Sequence, residues 1–213
     1  MEITTLGIDL AKNVFRVHGV DGKGRTVLER QLRRRQLLPF FAQLRPCLVG
    51  MEACGGAHYW AREIAKCGHQ VKLMSPRLVR PYVKSNKNDA RDAEAICEAV
   101  QRPSMRFVAL KSQAQQDMLA LHRVRSLLVR ERTALMNQMR GLLAEYGIAI
   151  ARGTAPLRRA VAVLLAERDS RLSESLREML AEMSERRRSV EDRLKRYDLR
   201  RRSLHAPTSE RCG

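Results

Sequence analysis

Four carboxylates in the first half of the chain, Asp9, Glu52, Asp89 and Asp92, are placed where folding could gather them around divalent cations. Asp89 and Asp92 stand three apart where the polar run Lys87-Asn88-Asp89-Ala90-Arg91-Asp92 passes into an Ala-rich helical pattern. In a helix that spacing puts both carboxylates on one face of the first turn. Asp is also favoured there for capping and for the macrodipole, so the pair alone reads as a helix start. Asp9 ends or nearly ends a strand-like run, and Glu52 closes the apolar run Cys47-Leu48-Val49-Gly50-Met51-Glu52. An ion pair with Lys12 would account for Asp9. A buried strand ending in Glu is harder to explain, because an unpaired buried carboxylate is costly. Clustered carboxylates raise one another's pKa unless a cation neutralises them, and an all-oxygen donor set suits Mg²⁺ (or Mn²⁺). Two such ions about 3.5–4 Å apart activate an attacking hydroxyl and stabilise the leaving oxygen of a phosphodiester. The chemistry implied is nuclease or strand transfer.

The elements that must position these acids follow from alternation and turn signals. Residues 3–9 and 14–20 read as strands, Asp21-Gly22-Lys23-Gly24 as a turn, and residues 25–32 as a third strand, an antiparallel meander. Residues 33–45 read as a helix that tolerates Pro39 only near its start. Residues 47–52 form a buried strand, and a helix carrying Tyr59, Trp60 and Ile64 ends near Gly68. Residues 70–74 form another strand, closed by Ser75-Pro76 ahead of the helix that starts at Asp89. Three meander strands, then helix, strand, helix, strand and helix, is the order of an α/β RNase H-like (RuvC-like) mixed sheet flanked by helices. The acids of its first and fourth strands would lie side by side.

Composition narrows the partners. Forty-one Lys and Arg against 23 Asp and Glu leave a formal net charge of +18, which calls for a polyanion, with nucleic acid ahead of an anionic membrane. No apolar run approaches the roughly 18 residues that span a bilayer, and no signal peptide follows Met1, so a cytoplasmic, nucleoid-associated protein is expected. Cys47, Cys54, Cys67, Cys97 and Cys212 are odd in number and irregularly spaced, which argues for reduced thiols. A zinc site from Cys54, His58, Cys67 and His69 lacks any CxxC or HxxxH spacing. Arg77, Arg80, Lys84, Lys87 and Arg91 form a basic approach to Asp89, and Lys12 follows Asp9. Such a rim draws in phosphates that the acids repel.

Three blocks carry a resemblance. Gly7-Ile8-Asp9-Leu10-Ala11-Lys12, then Met51-Glu52-Ala53-Cys54-Gly55-Gly56-Ala57-His58-Tyr59-Trp60, then Asn88-Asp89-Ala90-Arg91-Asp92-Ala93-Glu94-Ala95-Ile96 resemble the three motifs of DEDD transposases of bacterial insertion sequences, the group that includes the Piv invertase. The resemblance covers residues 3–150 clearly and the helical remainder more loosely. It implies a RuvC-like domain with Asp9, Glu52, Asp89 and Asp92 as catalytic metal ligands, DNA as substrate, and, in some members, an element-encoded guide RNA as partner. Family members also carry a C-terminal domain with a serine nucleophile. Ser203 and Ser209 sit in a short polar stretch and do not take that role, so the chain reads as a truncation, a frame-shifted end or the edge of an expressed piece, incomplete for full recombination.

Beyond residue 110 the pattern becomes helical. Leu121, Leu128, Leu135 and Leu142 recur every seven residues on a run from Ser112, weakened at Gly141 and ended at Tyr146-Gly147. From Ser170 a second helix carries Leu172, Leu176, Leu180, Val190 and Leu194. Either an antiparallel hairpin or a dimer seam buries these stripes, and the heptad spacing points to a homo-oligomer. Arg123, Arg125, Arg130, Arg132 and Arg140 stud the first helix, with Arg123 and Arg130 among those expected to touch nucleic acid. The expected organisation is a catalytic domain over 1–110, a coiled-coil-like region over 111–199 and a disordered polar tail over 200–213. The leading reading is a DNA transposase of the DEDD type. A non-catalytic nucleic-acid-binding or assembly fragment, and a RuvC-like junction nuclease, are the alternatives.

Overall fold

The computed structural model describes residues 2–83, 89–167 and 171–205, and the chain divides into two compact units at Lys111/Ser112. The first unit is built on one six-stranded sheet in the order β3-β2-β1-β4-β5-β6, formed by β1 (Thr5–Leu10), β2 (Val14–Val20), β3 (Thr26–Arg33), β4 (Leu48–Glu52), β5 (Gln70–Met74) and β6 (Phe107–Val108). β1, β2 and β3 pair antiparallel, β4 and β5 continue the sheet parallel to β1, and β6 closes it antiparallel. This mixed sheet flanked by helices is an RNase H-like α/β fold.

The turn between β2 and β3 is locked by Asp21, whose carboxylate accepts from the Lys23 N–H at 2.9 Å, the Arg25 N–H at 3.0 Å and the Arg25 guanidinium. The Arg25 backbone contact, aided by its guanidinium and the Lys23 N–H, outweighs burial and holds the Asp21 carboxyl below its ordinary value. This is the sequence's Asp-Gly turn with its mechanism supplied.

One face of the sheet packs large side chains. Leu6, Ile8, Val49 and Met51 are fully buried against α1 (Leu37–Gln43) and α2 (Ala57–Lys66), through Leu37, Phe41, Trp60 and Ile64. Each such side chain contributes about 1.5–3 kcal/mol of transfer free energy. The helix expected over residues 33–45 is shorter: Arg33 remains in β3, residues Arg34–Gln36 make a 3-10 turn, and α1 begins at Leu37. Pro39 is accommodated because it falls in the first turn of α1, where its missing N–H has no intrahelical partner. The short α3 (Pro76–Val79) and a 3-10 turn Arg80–Tyr82 follow β5, and α4 (Asp89–Val100) covers the opposite face.

The second unit consists of α5 (Gln113–Glu145), α6 (Thr154–Ala166) and α7 (Glu174–His205). α5 starts on a capping box in which Ser112 Oγ accepts from the Gln115 N–H and Gln115 returns a bond to the Ser112 N–H. Gly141 does not interrupt α5, which runs on to Glu145, since one helical glycine costs only about 1 kcal/mol. α5 and α7 lie antiparallel: Leu128 packs with Val190 and Leu194, whereas Met139 and Leu143 pack with Leu172, Leu176, Leu180 and residues of α6. Arg125 pairs with Asp198 at 2.6 Å and Arg186 with Glu131 at 3.1 Å along the same seam. The buried stripe of α5 moves from Leu128 to Met136, Met139 and Leu143, leaving the strict seven-residue repeat where α6 joins. α7 continues through His205, so residues 200–205 are helical, a correction to the disordered tail expected from 200 onward. Their Arg-rich sequence extends the helix because Arg and Leu are good helix formers. Residues 206–213, Ser209 included, lie outside the described residues.

Candidate functional site

Strand alternation assigns the acids to a face. Leu6 and Ile8 occupy the apolar α1/α2 face, so Gly7 and Asp9 point to the other side of β1. β1 and β4 pair in parallel with Ile8 opposite Met51, which makes Asp9 and Glu52 the next neighbours on adjacent strands. Val49 and Met51 face the apolar side, leaving Gly50 and Glu52 on the same side as Asp9.

The close seat of α4 brings the third acid. A Cβ added at Gly7 would lie 2.2 Å from the Ala93 carbonyl oxygen and 2.5 Å from the Cys97 nitrogen, and one at Gly50 would lie 2.8 Å from Val100 Cβ. Two glycines on neighbouring strands thus let the helix rest backbone on backbone. Ala93, Ala95, Ile96, Cys97, Ala99 and Val100 are buried on α4, and Asp92 stands one turn before Ile96. Asp89 is the first residue of α4, and its side chain lies outside the described residues, as do Lys84 and Lys87.

Asp9, Glu52 and Asp92 are all half-buried. Burial, then the charge of Asp9, then that of Asp92, pushes the Glu52 carboxyl above its ordinary value. The same field reaches Cys54, whose thiol is raised by burial and by the charges of Glu52 and Asp9. Three of the four acids therefore share one electrostatic neighbourhood. Among the described residues no three His, Cys, Asp or Glu side chains already form a ready cation site. The donor set is all oxygen and gathers like charges in one neighbourhood, which fits a hard divalent cation.

Of the basic residues expected to form the rim, Lys12, Arg77, Arg80 and Arg91 are exposed. On α5, Arg123 and Arg130 are exposed, whereas Arg125 is engaged by Asp198 and Arg140 donates to the Gly153 and Met136 carbonyls. The single basic face drawn from the sequence is accordingly narrower: two of its five arginines hold the helical unit together. Sequence reasoning missed Arg16, the antiparallel cross-strand partner of Asp9 on β2, and Gly50. The short connection of residues 11–13 between β1 and β2 sets that register, so counting outward from it would have found Arg16.

The zinc alternative is excluded by the partners of its histidines. His69 Nδ1 accepts from the Cys47 N–H at 3.2 Å and its other ring nitrogen lies 3.0 Å from the Phe41 carbonyl. His58 Nδ1 accepts from the Lys111 N–H at 3.2 Å. Cys47, Cys54, Cys67 and Cys97 are free thiols, and burial pushes Cys97 up to about 12. No helix among the described residues is long and apolar enough to cross a membrane.

Comparison with known proteins bears on the whole arrangement. An IS110-type DEDD family model described as "Transposase" matches residues 6–148. A "Probable family 20 transposase" of Pseudomonas aeruginosa is 51% identical over 199 residues, 93% of this chain and 59% of the relative. The "Transposase for insertion sequence element IS1328" of Yersinia enterocolitica is 54% identical over 161 residues, 76% of this chain and 48% of the relative. The "Transposase for insertion sequence element IS1111A" of Coxiella burnetii is 45% identical over 179 residues, 84% of this chain and 49% of the relative. The chain spans about half the length of the curated relatives it matches. With the matched segment running from the first strand to the end of the first long helix, the chain belongs to the IS110-type DEDD transposase family.

Proposed function

We propose that this chain carries the RuvC-like catalytic part of an insertion-sequence transposase and cleaves DNA strands with the help of divalent cations. The observation that carries the reading is the parallel register that sets Asp9 and Glu52 side by side on β1 and β4, where burial, then the charge of Asp9, then that of Asp92 raises the Glu52 carboxyl. Such an arrangement is unfavourable by itself and becomes favourable when a cation neutralises it. Asp9, Glu52 and Asp92, together with Asp89, are the proposed ligands, and Mg²⁺ or Mn²⁺ the proposed ion. When bound, such ions supply Lewis-acid stabilisation of the phosphoryl oxygens and a more acidic attacking hydroxyl.

The chain's own residues hold and orient the DNA strand. Lys12, Arg77, Arg80 and Arg91 offset the repulsion between acids and phosphates, and Lys84 and Lys87 belong to the same rim by sequence. Arg123 and Arg130 extend the basic surface within the helical unit. Contacts of this type are to the sugar-phosphate backbone and fix position rather than sequence. A guide RNA is added from the family resemblance, and self-association from the seven-residue leucine spacing of α5. The joining step is assigned to the family's serine, a role that is not carried onto Ser203 or Ser209.

The test is Asp92→Asn assayed for strand cleavage and for DNA binding in Mg²⁺. Cleavage should fall by more than the about 10–100-fold that loss of an outer-shell metal partner costs, with binding kept. Undiminished cleavage by the variant would remove the metal-site reading. Binding by the parent chain without cleavage at any Mg²⁺ or Mn²⁺ concentration would leave the non-catalytic binding fragment. Binding itself should weaken steeply with salt, because each neutralised phosphate releases counterions.

A further inference from the structure

The helical unit carries an open cavity of about 240 Å³ between α6 and α7. Its floor is aliphatic, made by Leu157, Val161 and Leu165 of α6 with Met139 of α5. Its wall is cationic, made by Arg158 of α6 and by Arg187 and Arg188 of α7, with Ser184 one turn before. The volume is below the about 300–1,000 Å³ of sites that enclose drug-sized ligands, so it suits a small group or part of a strand.

Among the described residues the charges along this wall do not balance. Arg187 is only 3% exposed, and its Nη1 donates to Glu191 at 2.6 Å. A buried guanidinium needs such a partner, since stripping its water without compensation costs several kcal/mol. Arg188 donates through Nε to the Ser184 carbonyl, a weak bond at 3.4 Å that brings no negative charge. Among the described residues Glu191 therefore answers one of the three arginines that line the cavity. A purely structural Arg187–Glu191 pair also leaves unexplained why Arg158, from a different helix, borders the same opening.

We propose that this cavity is a nucleotide subsite. Guanidinia bind phosphate oxygens in bidentate fashion, and an aliphatic floor accepts the apolar face of a base or sugar. The shared chemistry is one phosphate-bearing nucleotide, supplied either by a single-stranded nucleic acid or as a free mononucleotide. The subsite lies wholly in the helical unit and does not depend on the carboxylate site, so binding is measured in EDTA, where metal-dependent cleavage plays no part.

The experiment uses the full chain and a fluorescein-labelled single-stranded oligonucleotide carrying photoreactive thiouridines, followed by anisotropy over a range of salt. Arg158→Gln with Arg188→Gln, both exposed heads, is compared with Arg193→Gln with Arg196→Gln, which remove the same charge elsewhere on α7. Thermal melts establish that both double variants are folded. The cavity variant should bind about tenfold more weakly than the control variant, and cross-links in the parent should fall on peptides containing Leu157 or Arg187. Competition by adenosine monophosphate that the cavity variant loses would identify free nucleotide as a ligand. No competition, with the oligonucleotide effect retained, would identify the strand. Equal weakening in the two double variants, or cross-links confined to other peptides, would overturn the subsite.

Discussion

The two faces of the central sheet are built on opposite rules. Toward α1 and α2 the strands present Leu6, Ile8, Phe15, Val49 and Met51, and the space between layers is filled by side chains. Toward α4 the same strands present Gly7 and Gly50, and the space is removed instead, so that the helix backbone reaches the strand backbone. The first face holds the fold together by buried area. The second gives up that area at its centre, and what it gains is position: Asp92 enters the field of Asp9 and Glu52.

That contrast can be broken most severely on the apolar side. Phe41→Ala removes a fully buried ring and should cost about 3–5 kcal/mol, read as a drop in the denaturant midpoint. Any metal-dependent cleavage should fall only as far as the folded fraction falls. A variant that stays as stable as the parent would show that this face is not the main source of stability.

Gly7→Ala is the sharper probe. The new methyl meets a backbone carbonyl, which cannot swing away as a flexible side chain could, so α4 must move or β1 must bend. The expected loss is about 1–3 kcal/mol, as for overpacking in a dense core. Cleavage should fall further than stability does, because the displaced helix carries Asp92. Equal activity per folded molecule would mean that the closeness of α4 is a packing detail without bearing on the acids.

The smallest effect concerns pH. Glu52 is raised in the folded chain, so between its ordinary value of 4.5 and its folded value the native state binds more protons than the unfolded state. Stability of the metal-free chain should therefore decline as pH rises through that window. Glu52→Gln should flatten the decline and melt slightly higher than the parent in EDTA above it. A parent whose melting temperature rises with pH across the same window would contradict the crowding of the acids.

Much of this architecture is readable from residue order. The Asp21-Gly22 turn, the period-two strands and the Ala-rich helix that begins at Asp89 all follow from short-range rules that depend only on neighbouring residues. The leucine repeat was legible as a stripe, but its partner was not. Leu128 meets Val190 and Leu194 of α7, far along the chain, and the stripe leaves the seven-residue repeat where α6 adds a third surface. Arg125 and Arg140 read as part of a one-sided arginine surface because sequence shows charge without showing what satisfies it.

The sequence by itself determined which residues are acids at the ends of strands and at a helix start, because those places are written in local alternation and turn chemistry. Only the tertiary structure decided that three of them share a field. That outcome depends on the parallel register of β1 with β4 and on the absence of two Cβ atoms under α4, and both are relations between segments more than forty residues apart. A contact of that kind has no energy until the chain has folded, so no single stretch of sequence can encode it alone.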